Sequence, residues 1–71
     1  MKVKYFTDTD TLYIEFRDAE IVDSRDLDED TVIDLDAKGN ICAMTMEQNK
    51  GRADVPHFTF EEVAAWLPNV Y

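Results

Sequence analysis

Two runs near the start of the chain alternate between apolar and polar residues. Alternate positions are apolar in both runs: Val3 and Tyr5, then Leu12, Ile14 and Phe16. A period of two puts the apolar side chains on one face of a strand and leaves the other face polar. Residues 7–10, between the runs, are Thr and Asp, whose short side chains bond their own backbone. The pattern therefore predicts a first β-hairpin.

A second hairpin is predicted around residues 36–39. This segment has Asp at the first turn position and Gly where the backbone needs a positive φ. The arms of the hairpin are residues 31–36 and 41–47. Sequential strands joined by tight turns pair antiparallel, so the two hairpins together predict a mainly antiparallel sheet.

The register of this second hairpin has two alternatives. A three-residue loop with a glycine bulge pairs Leu35 with Ile41. A four-residue loop pairs Leu35 with Cys42 and Ile33 with Met44. A slip of one residue turns every side chain to the other face. We favour the four-residue loop because it collects a single apolar surface: Ile33, Leu35, Cys42, Met44 and Met46.

The segment between the hairpins, residues 18–30, is dense in acidic side chains. Its apolar content is small, and we expect a short extended piece around Ile21 and Val22, followed by a solvated loop. Residues 48–57, after the second hairpin, show no periodicity and contain Gly51 and Pro56, which is typical of a linker.

A helix is predicted after this linker. Thr59 is a suitable N-cap, Glu62 completes a capping box, and Phe58 can pack on Val63 as a hydrophobic staple. The apolar stripe of this helix consists of Phe60, Val63, Ala64 and Leu67, with Trp66 beside it and Pro68 at its end. Two turns are too few to be stable alone in water. We therefore expect the helix to dock on the sheet or on a neighbouring subunit.

These elements predict one α+β domain spanning residues 1–71. Its architecture is a four-stranded, mainly antiparallel sheet built from two β-hairpins, with one short C-terminal helix on its face. A chain of 71 residues buries only about 60% of the surface that it exposes when unfolded. The single cysteine, Cys42, has no partner for a disulfide within the chain. We therefore expect a homo-oligomer, with a dimer favoured, because the open sheet edges also need protection.

Charge and cysteine content narrow the functional classes. Sixteen acidic and seven basic side chains give a net charge of -9, which disfavours nucleic acid and anionic membranes and is compatible with a basic protein partner or simply with solubility. The lone thiol and the start of the chain, which runs directly into a strand, predict a cytoplasmic protein. No apolar run approaches the ~20 residues that span a bilayer.

Few residues suggest chemistry. Cys42 and His57 form the one pair suited to nucleophilic catalysis, but a buried, inert thiol is the simpler interpretation. Residues 34–40 resemble the start of a calcium-binding loop, yet Lys38 stands at a ligand position and Thr45 replaces the bidentate Glu. We therefore predict no catalytic, cofactor-binding or metal-binding residues. A small-molecule or divalent-metal site in the acidic loop is the alternative, with these carboxylates as ligands: Asp23, Asp26, Asp28, Glu29, Asp30, Asp34 and Asp36.

Methionines and aromatic residues suggest a subunit contact as well as a core. Met44 and Met46 suit core packing, although flexible thioethers also suit an interface. The aromatic side chains are numerous for so thin a core, so some of them are expected to line a contact between subunits. This set comprises Tyr5, Tyr13, Phe58, Phe60, Trp66 and Tyr71.

At its strand and turn motifs the chain resembles the YuzE-like family, domain of unknown function 2283. Four features share this resemblance: Val3-Lys4-Tyr5, Asp10 before Leu12-Tyr13-Ile14, Glu20 with Val22, and residues 32–36 with Gly39-Asn40-Ile41. Residues 52–58 resemble a subset of the family. These motifs are specific for a fold, and the resemblance implies no established activity. Relatives of this kind are often encoded beside small toxin-like proteins, which implies an antitoxin-like role. We accordingly predict a non-catalytic protein-interaction module with a basic partner.

Overall fold

The computed structural model describes residues 1–49 and 53–65, and it forms one antiparallel sheet of five strands. The strands are β1 (Lys2–Phe6), β2 (Thr11–Glu15), β3 (Asp23–Asp28), β4 (Thr31–Leu35) and β5 (Ile41–Met46). Their order across the sheet is β1-β2-β5-β4-β3, so β5 is central and β1 and β3 are the edges. The alternating pattern and the two turns correctly predicted β1, β2, β4 and β5.

Pairing on both sides of β5 joins the two hairpins into one sheet. Met44 lies opposite Ile14 of β2 and opposite Ile33 of β4. Because side chains alternate along each strand, this register places the apolar positions of four strands on the same side. We call this side the apolar face; it comprises Val3, Tyr5, Leu12, Ile14, Ile33, Leu35, Met44 and Met46.

The opposite side, which we call the polar face, carries a mixed set of side chains. Lys4, Tyr13, Thr45, Val32 and Asp26 follow one another across it in a single row. Tyr13 is partly withdrawn from water, and this desolvation, together with the nearby carboxylates of Glu15 and Asp34, raises the pKa of its hydroxyl.

The predicted fold class, four strands and a helix, is wrong. The acidic segment contributes a fifth strand, β3, where a solvated loop was expected. β3 pairs with β4 from Asp23, opposite Leu35, to Asp28, opposite Thr31. Its sequence lacks an apolar alternation because it is an edge strand that is exposed along its whole length. β3 adopts a strand conformation because its backbone pairs with β4 through antiparallel hydrogen bonds.

The predicted C-terminal helix is also absent from the part of the chain that the structure describes. Residues 58–65 have no helical conformation, and within residues 1–49 and 53–65 the one helical element is a single 3-10 turn, Val55–His57. Phe58, Phe60 and Val63 are 64%, 76% and 68% exposed. Because these apolar side chains are not packed on the sheet in the described residues, the capping signals alone do not suffice to form a helix there. The predicted positions Trp66, Leu67 and Pro68 lie outside the described residues.

The register of the second hairpin combines both alternatives. Leu35 pairs with Ile41 beside the turn, whereas Ile33 pairs with Met44 further along the arms, and the register shifts between Asp34 and Leu35. The extra residue of β5 is Cys42, which is fully buried with a free thiol. A bulge therefore supplies the short loop and still keeps the favoured apolar residues on one face.

Candidate functional site

The outer strand β3 and its flanks form a strongly acidic surface. Residues 18–30 hold seven of the sixteen carboxylates and one arginine, a net charge of -6 out of -9. All six residues of β3 are exposed, and among the strands of the described residues β3 has a neighbour on one side only. We call residues 18–30 the acidic edge.

Local hydrogen bonds hold several side chains of the acidic edge in place. The Arg25 guanidinium pairs with the Asp23 carboxylate at 3.1 Å, and the Ser24 hydroxyl donates to Asp34 at 2.7 Å. At the far end of the strand, the amide of Asp30 donates to the Asp28 carboxylate at 2.9 Å. These bonds order the strand and its turn.

Apolar side chains are interspersed among these carboxylates. Ile21, Val22 and Leu27 are 42%, 56% and 63% exposed. An edge strand also presents a row of backbone N–H and C=O groups that has no neighbouring strand. The acidic edge therefore offers a partner three kinds of contact, namely backbone hydrogen bonds, negative charge and apolar area.

The predicted alternative, a metal site in the acidic loop, gains no support from the geometry. Within residues 1–49 and 53–65, no group of three or more His, Cys, Asp or Glu side chains converges on a point that could hold a metal ion. Extension of the segment into a strand is the physical reason, because it spreads the carboxylates along an edge.

Asp36, another of the seven proposed ligands, closes the turn of the second hairpin. Its carboxylate accepts from the amides of Lys38 and Asn40, both at 2.9 Å, and from the Asn40 side chain at 3.2 Å. Arg17 lies 3.4 Å from the same carboxylate. The hydrogen bonds from Asn40 are the main cause that lowers the pKa of Asp36, with Lys38 and Arg17 acting in the same direction. The Asp36 carboxylate therefore stabilises the turn by accepting hydrogen bonds within it.

The structure does not bring Cys42 and His57 together. Cys42 is fully buried in β5, whereas the side chain of His57 is 80% exposed and its Nδ1 lies 2.8 Å from the Asp54 carboxylate. The prediction that the thiol of Cys42 is buried is confirmed.

A groove of about 400 Å³ lies beside the first hairpin. Its floor is the β1–β2 end of the apolar face, and its wall is the segment after the sheet, with these lining residues: Val3, Tyr5, Leu12, Ala53, Asp54, Val55 and Phe58. The hydroxyl of Tyr5 donates to the Asp10 carboxylate, and this hydrogen bond raises the pKa of Tyr5. The lining is mostly apolar, which is typical of a packing surface.

Asn49 is a structural residue that sequence reasoning missed. It is 1% exposed, and its side-chain amide donates to the carbonyls of Asp10, at 2.9 Å, and Met46, at 2.8 Å. Asn49 thereby ties the turn of the first hairpin to the end of β5. Nothing in the local pattern marks it, because a linker asparagine is ordinary and its partner Asp10 is 39 residues away.

Comparison with known proteins identifies one family. The family described as "Protein of unknown function (DUF2283)" matches residues 2–49, which include all five strands and end at Asn49. The comparisons with curated proteins and with solved structures gave no match. In the described residues, no helix has the length and apolar character needed to cross a membrane.

Proposed function

Because the chain belongs to the DUF2283 family of proteins of unknown function, we propose a function from its own surface: it is a non-catalytic protein-interaction module that binds a basic, extended segment of a partner protein along β3. The observation that carries this proposal is that β3, an edge strand exposed along its length, lies in a segment with two thirds of the net charge. An extended peptide can add to such an edge as a further strand.

Charge selects the partner. Two copies of the acidic edge repel each other, so the edge disfavours pairing with itself, whereas lysine and arginine side chains of a partner strand gain attraction. The exposed Val22 and Leu27 provide apolar contacts between the charges. A partner segment that alternates basic and apolar residues therefore fits the edge best.

The free thiol of Cys42 supports a proposal for the cellular location of the protein. The module acts in the cytoplasm, where a free thiol such as Cys42 remains reduced. A small basic protein encoded beside it is the partner class that we propose, which corresponds to an antitoxin-like role. Co-expression with that neighbour, followed by co-purification, tests this identity separately from the binding mode.

Titration with a labelled peptide tests the binding mode. The probe is a ten-residue peptide of alternating lysine and valine, and a second peptide of equal charge has proline in place of each valine, which prevents strand pairing. We expect the first peptide to bind at least ~10-fold more tightly. Backbone amides of β3 should gain protection from hydrogen exchange in the complex, and those of β1 should not.

Paired protein variants test the surface. Asp26→Asn with Glu29→Gln removes two charges from the acidic edge, and Asp8→Asn with Glu61→Gln removes two exposed charges elsewhere. The first pair should weaken binding several-fold more than the second. Equal binding of both peptides, or equal effects of the two variant pairs, would show non-specific attraction by net charge and would refute the proposal.

A further inference from the structure

The two edge strands of the sheet present opposite charges on the polar face. Lys4 of β1 and Asp26 of β3 are the two ends of one row across this face. Lys2 and Ser24 are the ends of the next row, and the Ser24 hydroxyl donates to the carboxylate of Asp34, one strand further in. One edge of the polar face is therefore basic and the other is acidic.

The charges of Lys4 and Asp26 are free to pair with another chain. Both residues are exposed, and neither takes part in an ion pair within residues 1–49 and 53–65. Among the strands of those residues, β1 and β3 each have a neighbour on one side only. The outward side of each edge strand also presents backbone N–H and C=O groups that can form hydrogen bonds to a further strand.

The sequence of β1 is the kind of segment that the outer edge of β3 fits best. Lys2, Val3, Lys4 and Tyr5 alternate between basic side chains and side chains with apolar area. This is the pattern that the charges and exposed apolar residues of the acidic edge favour in a partner strand. The chain therefore carries a complement to its own acidic edge on the opposite edge of the same sheet.

We propose that β1 of one copy adds to β3 of a second copy, so that chains associate head to tail into a continuous sheet. Successive neighbours across the sheet are antiparallel, so β1 and β3 of one copy run in the same direction. Two copies in the same orientation therefore pair these edges in parallel, with their polar faces on the same side. This arrangement brings Lys4 of one copy beside Asp26 of the other, and Lys2 beside Ser24.

Charge disfavours the inverted orientation of the second copy. Turning one copy over makes the pairing antiparallel, but it moves Lys2 and Lys4 to the side of the neighbouring sheet that holds Arg25. The acid next to Arg25 on that side, Asp23, already pairs with it at 3.1 Å. Because like charges directly opposite each other on neighbouring strands are destabilising, charge selects the arrangement in which both copies have the same orientation.

The contact is small, so the association is weak. Pairing of one five-residue strand with one six-residue strand lies below the ~1,200 Å² that stable interfaces bury. An interface between two different edges does not close in a pair, so a pair keeps one free edge of each kind. This association rests on the proposed function, since both use the outer edge of β3, and a basic partner segment competes with the second copy for that edge.

Charge reversal with rescue tests the contact by sedimentation velocity. In ~0.1 M salt, which screens the repulsion between distant charges, the wild-type chain should associate between ~5 and ~500 µM, with a Kd on the order of 100 µM. Lys4→Glu alone and Asp26→Lys alone should each associate at least ~5-fold more weakly, because like charges then meet at the contact. An equimolar mixture of the two variants should regain association to within ~2-fold of wild type, since each variant supplies the charge that the other lacks.

Matched controls separate the contact from net charge. Lys38→Glu and Asp8→Lys change the net charge by the same amounts at exposed residues in the two hairpin turns, and each should associate within ~2-fold of wild type. Three outcomes would refute the contact: a wild-type monomer throughout the range, equal effects of variants and controls, and a mixture that associates no more tightly than its components. If circular dichroism shows that a reversed chain does not fold, Lys4→Gln and Asp26→Asn replace the pair, and folded chains that associate as tightly as wild type count against the proposal.

Peptide binding at high dilution distinguishes this contact from the proposed function. Lys4→Glu leaves the acidic edge unchanged, so at ~1 µM, where self-association is negligible, it should bind the lysine–valine peptide within ~2-fold of wild type. Peptide binding at this dilution without self-association at ~500 µM refutes the head-to-tail contact alone. Absence of peptide binding by the wild-type chain at ~1 µM refutes the proposed function. Saturating peptide should also dissociate the wild-type assemblies, and assemblies that persist would refute the shared use of β3.

Discussion

At the scale of the residue, a few polar groups with buried or constrained positions hold the ends of the strands. Asn49 joins Asp10 and Met46 at one end of the sheet, and Asp36 closes the turn at the other end. Gly39 has a φ of +82° in that turn. The glycine could be predicted from its neighbours, whereas the role of Asn49 depends on a contact distant in sequence.

Asn49→Ala should destabilise the fold. The substitution removes two side-chain hydrogen bonds and leaves the carbonyls of Asp10 and Met46 without these donors, a loss of roughly 1–3 kcal/mol. Gln48→Ala is the control, because Gln48 is exposed and its side-chain amide donates a surface hydrogen bond to Asp30 at 3.0 Å. Urea unfolding at equal protein concentration measures both. Equal midpoints for the two variants would contradict the role of Asn49.

Gly39→Ala should cost about 1 kcal/mol of stability through the backbone alone. A Cβ at this position would meet nothing within 4 Å, so steric overlap with neighbours contributes nothing, and the positive φ is the only cost. Gly39→Asn should lose less, because asparagine tolerates the left-handed region better. Thermal unfolding of the three chains should therefore rank glycine, asparagine and alanine in that order.

At the scale of the element, a bulge in β5 and the Asp36 carboxylate in the turn together determine how the two strands of the second hairpin pair. The turn requires Leu35 opposite Ile41, and the apolar face requires Ile33 opposite Met44; the extra residue Cys42 reconciles them. β3 shows the reverse case, since its conformation is determined by pairing with β4. The bulged register and the strand conformation of β3 both depend on hydrogen bonds between strands, and the apolar–polar pattern of a single segment does not predict these bonds.

The stability of the hairpin should depend on the ionisation of Asp36. Its pKa is lowered in the fold from the ordinary value of 3.8, mainly by hydrogen bonds from Asn40. A depressed pKa contributes stability above the unfolded value, and this contribution is lost as the pH falls through the folded pKa. Asp36→Asn should therefore be less stable than wild type at neutral pH, with the difference shrinking below about pH 4.

Denaturant unfolding of both chains across this pH range measures the difference. Asp8→Asn, at an exposed carboxylate in the other turn, is the control and should remain close to wild type throughout. A difference between Asp36→Asn and wild type that stays constant down to the most acidic pH would show that ionisation of Asp36 does not contribute.

At the scale of the whole molecule, negative charge is concentrated at one edge of the sheet. The acidic edge holds most of the net charge, and its Asp23 and Arg25 lie on the same side of the sheet as the eight uncharged residues of the apolar face. Because charge is concentrated at this edge, salt should act in opposite directions on the stability of the fold and on the binding of a basic peptide.

Added salt should stabilise the fold and weaken peptide binding. Raising ionic strength from ~0.01 to ~0.15 M shortens the Debye length from about 30 to about 8 Å, which screens repulsion within the acidic edge and attraction to a basic peptide. The melting temperature should rise while the affinity for the lysine–valine peptide falls. Asp26→Asn with Glu29→Gln should reduce both dependences. A parallel rise in stability and affinity would contradict this assignment of charge.

The sequence by itself determined four strands, two turns and the family, because a period of two and the turn residues act locally. It also indicated a buried thiol and an acidic surface. Only the tertiary structure decided that the acidic segment is an edge strand, that the helical signals at Thr59 and Glu62 do not produce a helix in the described residues, and that Asn49 joins the first turn to the end of β5. These outcomes depend on which surface is available to pair or pack with a segment, and that surface exists only when the sheet has formed.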